Sequence, residues 1–501
     1  MSSSEEDQVQ QRREHLEAIT RLGYAAYPNK FDTTHTVSEL VSAHGNTEGP
    51  ALDANRVQTV TAGRIVGIRS FGKTCFYVLS DGRSRIQVYV KQGEIGEREQ
   101  QLSKLLDTGD QIGVTGHLFR TKTNELSIWA TSLEFLAKCF LPLPEKWHGL
   151  QDIEVRYRQR YLDLIVNPDV RRVFEIRTAT VSTIRDFLTG HGFLEVETPM
   201  MQPIAGGALA RPFITHHNAL DMKLYLRIAP ELYLKRLTVG GVERVFEINR
   251  NFRNEGISTR HNPEFTMLEF YWAYVDYQRL MTLTEELLST VAQKVVGSLE
   301  LPYGDHTINM SAPFRRISLR HAAAEEASKR LGVTVTVEEL RSLDSATAIA
   351  KQLGVEIPKG AGAGKIASAI FESLWEANLI QPTFVYDFPT EVSPLSKQRP
   401  DDPDTVERFE LYIGGFEVAN AFSELNDPVE QRRRFEAQLA ERAAGDAEAH
   451  AMDEDYVRAL EYGMPPAGGE GIGIDRLVQV LSNSPSIRDV ILFPLMRPRA
   501  D

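Results

Sequence analysis

Cysteine is scarce in this sequence, since Cys75 and Cys139 are the only two among 501 residues. Two thiols do not make a disulfide framework, and no metal-ligand spacing surrounds either one, so disulfide-rich and zinc-ribbon proteins are excluded. We expect both side chains to be small apolar groups, buried or half-buried, in a reducing compartment.

Long apolar runs are also absent, since no stretch approaches the roughly 18 apolar residues of a membrane span. The first residues, MSSSEEDQVQQRREHLEAI, are polar and acidic and contain no apolar segment of the kind that a secretory signal needs. We therefore expect a soluble, cytoplasmic protein that has no membrane partner.

The sequence also lacks an excess of positive charge. It has 56 Lys and Arg residues and 69 Asp and Glu residues, which gives a net charge of −13. This argues against a protein that binds polyanions with its whole surface, although a local basic face is enough for a nucleic acid. The HExxH and GxSxG motifs do not occur, and the segment GAGAGK lacks the P-loop spacing. Zinc proteolysis, serine hydrolysis and P-loop chemistry therefore have no support.

Alternating apolar residues predict a run of short strands that begins at Val57. The segments are VQTVTAGRIVGIRS, TCFYVLSDG, SRIQVYV, QIGVTGHLFRT and ELSIWATSLEFLA, with the helix-like GEREQQLSKLLDTGD between the third and the fourth. This order matches an OB-fold, the small barrel that binds oligonucleotides. The periodicity alone would equally suit any small barrel.

Changes of composition divide the chain into four segments. They are an N-terminal helical and irregular extension (1–57), the barrel (58–143), a Pro-rich and then polar linker (144–160) and a domain of mixed α and β pattern (161–501). Residues 428–462 are rich in Ala, Glu and Arg and are predicted to form a surface helical pair, to which we assign no function.

A cationic cluster follows one predicted strand of the last segment. Arg253 directly follows the predicted strand GVERVFEINRNF, and a polar loop then carries Arg260 and His261 before a second predicted strand, PEFTMLEFYWAY, which contains Phe265. Arginine binds phosphate oxygens bidentately, so the cluster suits a polyphosphate, and Phe265 suits a base that stacks. The alternative is an exposed hairpin with surface charges.

A pair of carboxylates lies in a second predicted strand, where Glu410 and Glu417 are seven residues apart. A regular strand would point them to opposite faces, but Gly414 and Gly415 between them permit a turn that brings them together. Paired carboxylates commonly hold Mg²⁺ together with substrate phosphates. Beyond this pair, polar residues interrupt the apolar pattern of Asn420 to Glu424, and buried polar groups need partners, of which a ligand can be one.

A glycine-rich segment, Gly469-x-Gly471-x-Gly473, leads through Asp475 and Arg476 into an apolar-periodic helix. Glycine lets a backbone approach a ligand closely, and a helix start favours an anion.

Together these segments resemble the three signature motifs of class II aminoacyl-tRNA synthetases, in the family's order. Motif 1 resembles GFLEVETP, in which FLEVETP is predicted to be a strand that Pro199 stops. Motif 2 resembles FRNE with HxxxF, and motif 3 resembles GxGxGIDR. The barrel in front matches the subclass for lysine, aspartate and asparagine, and the stretches RQRYLDL, GGALARPF, APELYLKR and NAFSELND resemble the lysyl-tRNA synthetases. The resemblance implies an α+β fold, with an N-terminal OB-fold β-barrel followed by a class II catalytic domain built on an antiparallel sheet flanked by helices.

The residue chemistry agrees with lysine as the amino acid. The candidate pocket is rich in carboxylates, with Glu231, Glu269 and Glu424 beside Tyr271. An ammonium on a four-carbon stem needs acceptors at its tip and an apolar or aromatic wall along the stem. An aspartate enzyme would need a cationic pocket instead.

The resemblance implies that the enzyme joins lysine to ATP with Mg²⁺ and then transfers lysine to tRNA, with Arg253 and Arg476 as catalytic residues. ATP binding is implied for Arg253, Glu255, Arg260, His261, Asn262, Phe265, Glu410 and Arg476. Lysine binding is implied for Gly207, Glu231, Arg253, Glu269, Tyr271, Asn420, Phe422 and Glu424. The metal ligands implied are Glu410 and Glu417.

The barrel is implied to bind the anticodon, with Phe76 stacking and Arg69, Gln87 and Glu125 reading base edges. Without the family, Phe76 would be interpreted as barrel core. The resemblance also implies a homodimer with motif 1 at the interface. Two rivals remain: a ligase that lysylates an acceptor other than tRNA, and an inactive tRNA-binding regulatory protein.

Overall fold

The computed structural model describes residues 3–144, 150–443 and 452–498, and the chain divides into two compact units, Met1–Arg172 and Val173–Asp501. Part of the expected linker, residues 145–149, and part of the expected helical pair, residues 444–451, lie outside the described residues. No helix in the described ranges is long and apolar enough to cross a membrane. Both cysteines are free and half-buried, as expected.

A closed barrel forms the centre of the first unit. Its strands are β1 (Gln58–Phe71), β2 (Thr74–Ser80), β3 (Arg85–Lys91), β4 (Gln111–Arg120) and β5 (Leu126–Ala137), in the order β1-β2-β3-β5-β4. The helices are α1 (Ser3–Arg21), α2 (Val37–His44), α3 (Gly49–Ala54), α4 (Glu97–Ser103), α5 (Ile153–Arg158) and α6 (Arg160–Val166). Alternate strand residues such as Ile65, Leu79 and Val114 are fully buried and fill the barrel, which confirms the expected OB-fold.

Two short helices replace part of the irregular segment that we expected before the barrel. Helix α2 begins with a capping box, in which the Thr36 hydroxyl accepts from the Glu39 amide and the Glu39 carboxylate accepts from the Thr36 amide. Its Val37 and Leu40 side chains are buried with the barrel core. The cap and this burial together account for a helix of only eight residues.

A large sheet forms the centre of the second unit, in the order β14-β15-β16-β17-β18-β11-β10-β6. Its members are β6 (Leu194–Glu195), β10 (Arg244–Phe252), β11 (Glu264–Ala273), β14 (Arg315–Ser318), β15 (Thr383–Tyr386), β16 (Arg408–Ile413), β17 (Phe416–Ser423) and β18 (Ala467–Gly473). All neighbours pair antiparallel except β6 with β10 and β14 with β15.

Smaller sheets and helices complete this unit. The small sheets contain β7 (Met201–Gln202), β8 (Ile214–His217) and β9 (Met222–Leu226), and β12 (Glu300–Tyr303) with β13 (His306–Asn309). The helices are α7 (Pro168–Gly190), α8 (Glu231–Val239), α9 (Tyr277–Val295), α10 (Leu319–Leu331), α11 (Val337–Arg341), α12 (Leu343–Leu353), α13 (Ala363–Leu374), α14 (Pro428–Ala443), α15 (Glu454–Glu461), α16 (Ile474–Leu481) and α17 (Ile487–Val490). Helices flank a mostly antiparallel sheet, which confirms the expected α+β class.

The alternation of side chains along β11 sets the two faces of the large sheet. Leu268 and Phe270 are fully buried in a core with Leu280 and Leu283 of α9. Since neighbours along a strand point to opposite faces, Glu269 lies on the other face. The sheet therefore has one face packed on α9 and one face free to line a site.

The strand expected over FLEVETP is shorter than predicted. Only Leu194 and Glu195 form β6, which pairs parallel with β10 at the edge of the sheet, and the Val196 amide adds one further hydrogen bond to the Phe246 carbonyl. The nearby Pro199 has no amide hydrogen with which to continue a ladder.

Candidate active site

Two rows of residues cross the large sheet on the face opposite α9. The first row runs from Glu410 on β16 to Asn420 on β17, Gly471 on β18 and Glu269 on β11, each directly paired with the next. The second row, set by the same registers, contains Arg408, Phe422, Gly469 and Tyr271. Residues from distant parts of the chain become neighbours because the period-two alternation points them all one way.

Glycine at position 469 is required by the side chains around it. A Cβ there would lie 2.1 Å from Oε1 of Glu424 and 2.4 Å from Cε1 of Tyr271. These distances are far below van der Waals contact, so only glycine leaves room for the carboxylate and the ring in their present positions.

A cavity of about 410 Å³ lies on this face, within the size range of small-molecule sites. Each residue that we expected to contact ATP, lysine or metal lines it: Gly207, Glu231, Arg253, Glu255, Arg260, His261, Asn262, Phe265, Glu269, Tyr271, Glu410, Glu417, Asn420, Phe422, Glu424 and Arg476.

Arg253 lies where β10 ends and the motif 2 loop begins. Its guanidinium is 5.1 Å from the centroid of the Phe265 ring, and its Nε has no hydrogen-bond partner among the described residues. Burial lowers the pKa of Arg253, and the carboxylates of Glu255 and Glu417 act in the opposite direction. A half-buried arginine with an unsatisfied donor suits an anion that enters the cavity.

The motif 2 loop supplies two further polar groups at the cavity. Arg260 lies 3.6 Å from the Glu376 carboxylate and 5.9 Å from the centroid of the Phe416 ring. His261 is hydrogen-bonded to the Ser258 hydroxyl at 3.0 Å. Burial, and then Arg476, lower the pKa of His261, so the ring is neutral at pH 7 and acts as a polar group rather than a cation.

The hairpin between β16 and β17 brings Glu410 and Glu417 to the same cavity, as the glycine turn suggested. Gly414 and Gly415 have φ of +68° and +82°, and the register pairs Tyr412 with Glu417. Left-handed φ at two successive positions is available to glycine at no steric cost.

Glu410 is held by two neighbours, since its oxygens lie 2.5 Å from Nη2 of Arg408 and 2.5 Å from the Tyr412 hydroxyl. Burial raises the pKa of Glu410 to about 7, and the Glu417 charge adds to this effect while Arg408 opposes it. Within the described ranges no group of three or more His, Cys, Asp or Glu side chains is arranged so that it could hold a metal ion by itself. Two carboxylates facing a polyphosphate pocket nevertheless fit Mg²⁺, which takes one or two of them together with phosphates and waters.

Three further carboxylates line the cavity. Glu231, Glu269 and Glu424 are each nearly fully buried, and the Tyr271 hydroxyl lies 3.4 Å from Glu269. Burial raises the pKa of all three, to about 8 for Glu424 and well above the ordinary value for Glu269, where the Glu231 charge contributes. Such a site gains most from a ligand that brings positive charge.

Motif 3 places Arg476 in the first turn of α16, where its Nη1 donates to the Glu417 carbonyl at 2.7 Å. Asp475 beside it is buried and accepts from Arg177 at 2.5 Å and from the Thr266 amide at 2.7 Å. The aspartate thus ties α16 to α7 and β11 and fixes the direction in which Arg476 points.

Two site residues were missed by the sequence analysis. Arg408 lines the cavity and donates to Glu410 and, at 2.9 Å, to Asn420. Lys235 lies beneath the carboxylates of Glu231 and Glu424 and is fully buried. The only local signal was the spacing of Glu231 and Lys235, which are four residues apart and one turn apart on α8.

The four residues expected to read an anticodon lie on the barrel. Gln87 donates to the Glu125 carboxylate at 3.1 Å, and Arg69 on β1 is paired with Phe76 on β2. Phe76 is half-buried, lies outside the barrel's buried core and has its ring 5.1 Å from that of Tyr89. This position leaves the Phe76 ring part of its surface for stacking.

Comparisons with known proteins agree with both units. A family model described as tRNA synthetases class II (D, K and N) matches residues 152–497, and one described as an OB-fold nucleic acid binding domain matches residues 59–136. The chain is 56% identical over 491 residues to a lysine–tRNA ligase of Carboxydothermus hydrogenoformans, and 98% of each chain is covered. It is 52% identical over 493 residues to a lysine–tRNA ligase of Bacillus subtilis, again with 98% of each covered.

Proposed function

The chain belongs to the class II tRNA synthetases, and from this membership and the cavity we propose how it works as a lysine–tRNA ligase. It uses ATP to activate L-lysine as lysyl-adenylate, releases pyrophosphate, and transfers lysine to the 3′-terminal ribose of a tRNA. The observation that supports the lysine substrate best is the charge of the cavity, which is lined by Arg253 and by three buried carboxylates.

In the first step, an oxygen of the lysine carboxylate attacks the α-phosphorus of ATP, and the bond from that phosphorus to pyrophosphate breaks. No protein nucleophile is needed, so positioning and charge stabilisation supply the catalysis. Arg253 binds the lysine carboxylate and the α-phosphate, whose charge grows as the new bond forms. Phe265 and the guanidinium plane of Arg476 enclose the adenine ring.

The remaining ATP contacts come from the motif 2 loop. Glu255 and Asn262 order the loop beside the adenine. Arg260 leaves the weak, partly exposed pair with Glu376 and binds the outer phosphates, where His261 adds a neutral hydrogen bond.

Lysine binds with its two ends at opposite sides of the cavity. Gly207 and Glu231 receive the α-amino group, and Asn420 helps Arg253 to hold the carboxylate. Phe422 and Tyr271 line the stem, while Glu269 and Glu424 accept from the ε-ammonium.

Mg²⁺ is held by Glu410 and Glu417 in this proposal. When bound, the ion neutralises charge on the pyrophosphate that leaves. Arg408 and Tyr412 keep the Glu410 carboxylate oriented towards the cavity before the ion arrives.

In the second step, the terminal ribose hydroxyl of tRNA attacks the acyl carbon of the adenylate and AMP leaves. We propose that the barrel (58–143) binds the anticodon, with Phe76 stacking on a base and Arg69, Gln87 and Glu125 reading base edges. Residues 1–57, 144–160 and 161–501 are then the extension, the linker and the catalytic domain. The barrel, and relatives that match along the whole chain, favour tRNA over another acceptor.

We also propose that the enzyme is a homodimer that works in the cytoplasm, where tRNAs are charged. The motif 1 strand and the small sheet beside it expose large apolar side chains that a partner subunit would cover, namely Leu194, Met200, Met201, Ile214 and Leu220.

The proposed roles are tested by R253A. The variant should lose lysine-dependent pyrophosphate exchange into ATP and keep its affinity for tRNA, because Arg253 serves the first step and the anticodon residues lie on the barrel. An inactive tRNA-binding protein would show no exchange in either form. Full exchange in R253A would refute the role given to this arginine.

A further inference from the structure

A buried ammonium lies directly beneath the carboxylate end of the cavity. Nζ of Lys235 is 2.5 Å from Oε1 of Glu231 and also forms an ion pair with Glu424. The Lys235 side chain is 0% exposed and is not part of the cavity lining, whereas both of its partners are. Lys235 therefore contacts the two carboxylates from the side that the substrate does not occupy.

The local sequence accounts for half of this arrangement. Glu231 and Lys235 are one turn apart on α8, with the acid nearer the N-terminus, the favourable order for such a pair. The other half is tertiary, because Glu424 follows β17 and reaches Lys235 from the large sheet. One ammonium thus fixes the relative position of two carboxylates on different elements.

The positive charge of Lys235 interacts mainly with Glu231 and Glu424. Burial acts to lower the pKa of Lys235, but Glu231 and Glu424 outweigh it and raise the pKa above its ordinary value. The Tyr456 hydroxyl faces the cluster from α15 and has no hydrogen-bond partner among the described residues. The neighbouring Arg236 points away and binds Asp453 at 2.8 Å.

The carboxylates respond to Lys235 in turn. Burial raises the pKa of Glu231 and of Glu424. The Lys235 ammonium opposes burial at both, and Arg408 on β16 opposes it to a smaller extent at Glu231. On β11, Tyr271 and Glu269 face the same carboxylates, and the Glu231 charge raises the pKa of each after burial has done so. From β10, Glu247 adds a further negative charge near Glu269. Lys235 is thus the one cation that forms an ion pair with Glu231 or Glu424 within the described ranges.

We infer that Lys235 is a positioning residue for the amino acid substrate, which holds Glu231 and Glu424 in place so that they receive the two ammonium groups of lysine. This inference rests on the proposed function, since it assigns those carboxylates to lysine. It also gives α15 a part in the site, because Tyr456 on this helix faces Lys235 and its two carboxylate partners.

The test is K235M, which keeps the length of the side chain and removes its charge. At pH 7 the KM for lysine in pyrophosphate exchange should rise by about 30-fold or more, as expected when buried charges lose their partner. The pH above which the lysine KM falls should be higher in K235M than in the wild type, because loss of the ammonium raises the pKa of both carboxylates further. The KM for ATP should stay within about twofold, since no contact to the nucleotide changes.

R236M is the matched control, because it removes a positive charge from a partly buried side chain at the next position of α8. It should lower the melting temperature through the lost Asp453 pair and leave the lysine KM within about twofold across the pH range. A structural role for Lys235 would make the two variants alike. If K235M keeps the wild-type lysine KM and pH profile, or if R236M shifts them equally, the inference is wrong.

A measurement on the unaltered enzyme decides the matter if K235M does not fold. The ¹⁵N resonance of the Lys235 ammonium should move when lysine binds, since a second ammonium joins the same carboxylates, and should stay in place when ATP alone binds. A resonance that does not respond to lysine would overturn the inference. Absence of lysine-dependent exchange in the wild type would instead refute the proposed function itself.

Discussion

Replacement of Gly469 by alanine is expected to damage lysine binding selectively. The added methyl group would lie 2.1 Å from Oε1 of Glu424 and 2.4 Å from Cε1 of Tyr271. Contact distances of 3.5 to 4.0 Å require both groups to move by about 1 Å. The strand itself can accept alanine, because no left-handed φ occurs at this glycine.

The size of the effect follows from that displacement. A misplacement of about 1 Å in a positioned group costs roughly 10²-fold in rate, or about 2.7 kcal/mol of transition-state stabilisation. We expect kcat/KM for lysine in pyrophosphate exchange to fall by about this factor, with the KM for ATP little changed. Lysine should be varied at saturating ATP, and the melting temperature should be measured in parallel.

G473A is the control on the same strand. A Cβ at Gly473 would meet its nearest neighbours at 3.6 Å, which is ordinary contact. The KM for lysine should therefore change by less than about threefold. Unchanged lysine kinetics in G469A, or an equal loss in G473A, would refute the claim that this wall of the cavity holds lysine.

Further predictions concern stability, tRNA and assembly. The pKa of Glu470, whose hydrogen-bond partner is the Thr284 hydroxyl, is raised by burial to about 8 from 4.5, so its contribution to stability is complete below pH 4.5 and is lost as the pH rises towards 8. The melting temperature of E470Q relative to that of the wild type should therefore rise as the pH increases from 5 to 8. A difference that does not change with pH would contradict the conclusion that Glu470 is a buried neutral acid. F76A should raise the KM for tRNA by about 10-fold or more, the worth of one stacked base, and leave pyrophosphate exchange intact; an equal loss in both assays would mean that the barrel had unfolded. I214D should convert a dimer to monomers in light scattering, because Ile214 is 61% exposed on the proposed interface. A dimer that persists in I214D would mean that the interface lies elsewhere.

Much of the fold was predictable because the apolar alternation is regular. The segments GVERVFEINRNF and PEFTMLEFYWAY were predicted as two strands joined by a polar loop, and they form the antiparallel pair β10 and β11. The segment before the barrel was predicted as irregular, although the Thr36-x-x-Glu39 capping box was a readable helix signal. The strand near Pro199 was predicted to be longer than it is, because the local sequence pattern does not show that it lies at the edge of the sheet.

The site was predictable where residues resemble family motifs and not where contacts are purely tertiary. The turn that unites Glu410 and Glu417 was proposed from two glycines and is present. Arg408 was missed although its partner Glu410 is only two residues away, because its other partner, Asn420, is reached only through the hairpin register. The segment 428–462 was predicted to be a surface pair, yet Tyr456 is fully buried behind the lysine end of the cavity.

The most direct test of the central claim is pyrophosphate exchange into ATP, run with each standard amino acid in turn in the presence of Mg²⁺. A cavity lined by buried carboxylates and by Arg253 predicts exchange with lysine and with no other amino acid at comparable concentration. Exchange driven by an acidic or a neutral amino acid would contradict the assignment of Glu231, Glu269 and Glu424 to the lysine ammonium groups.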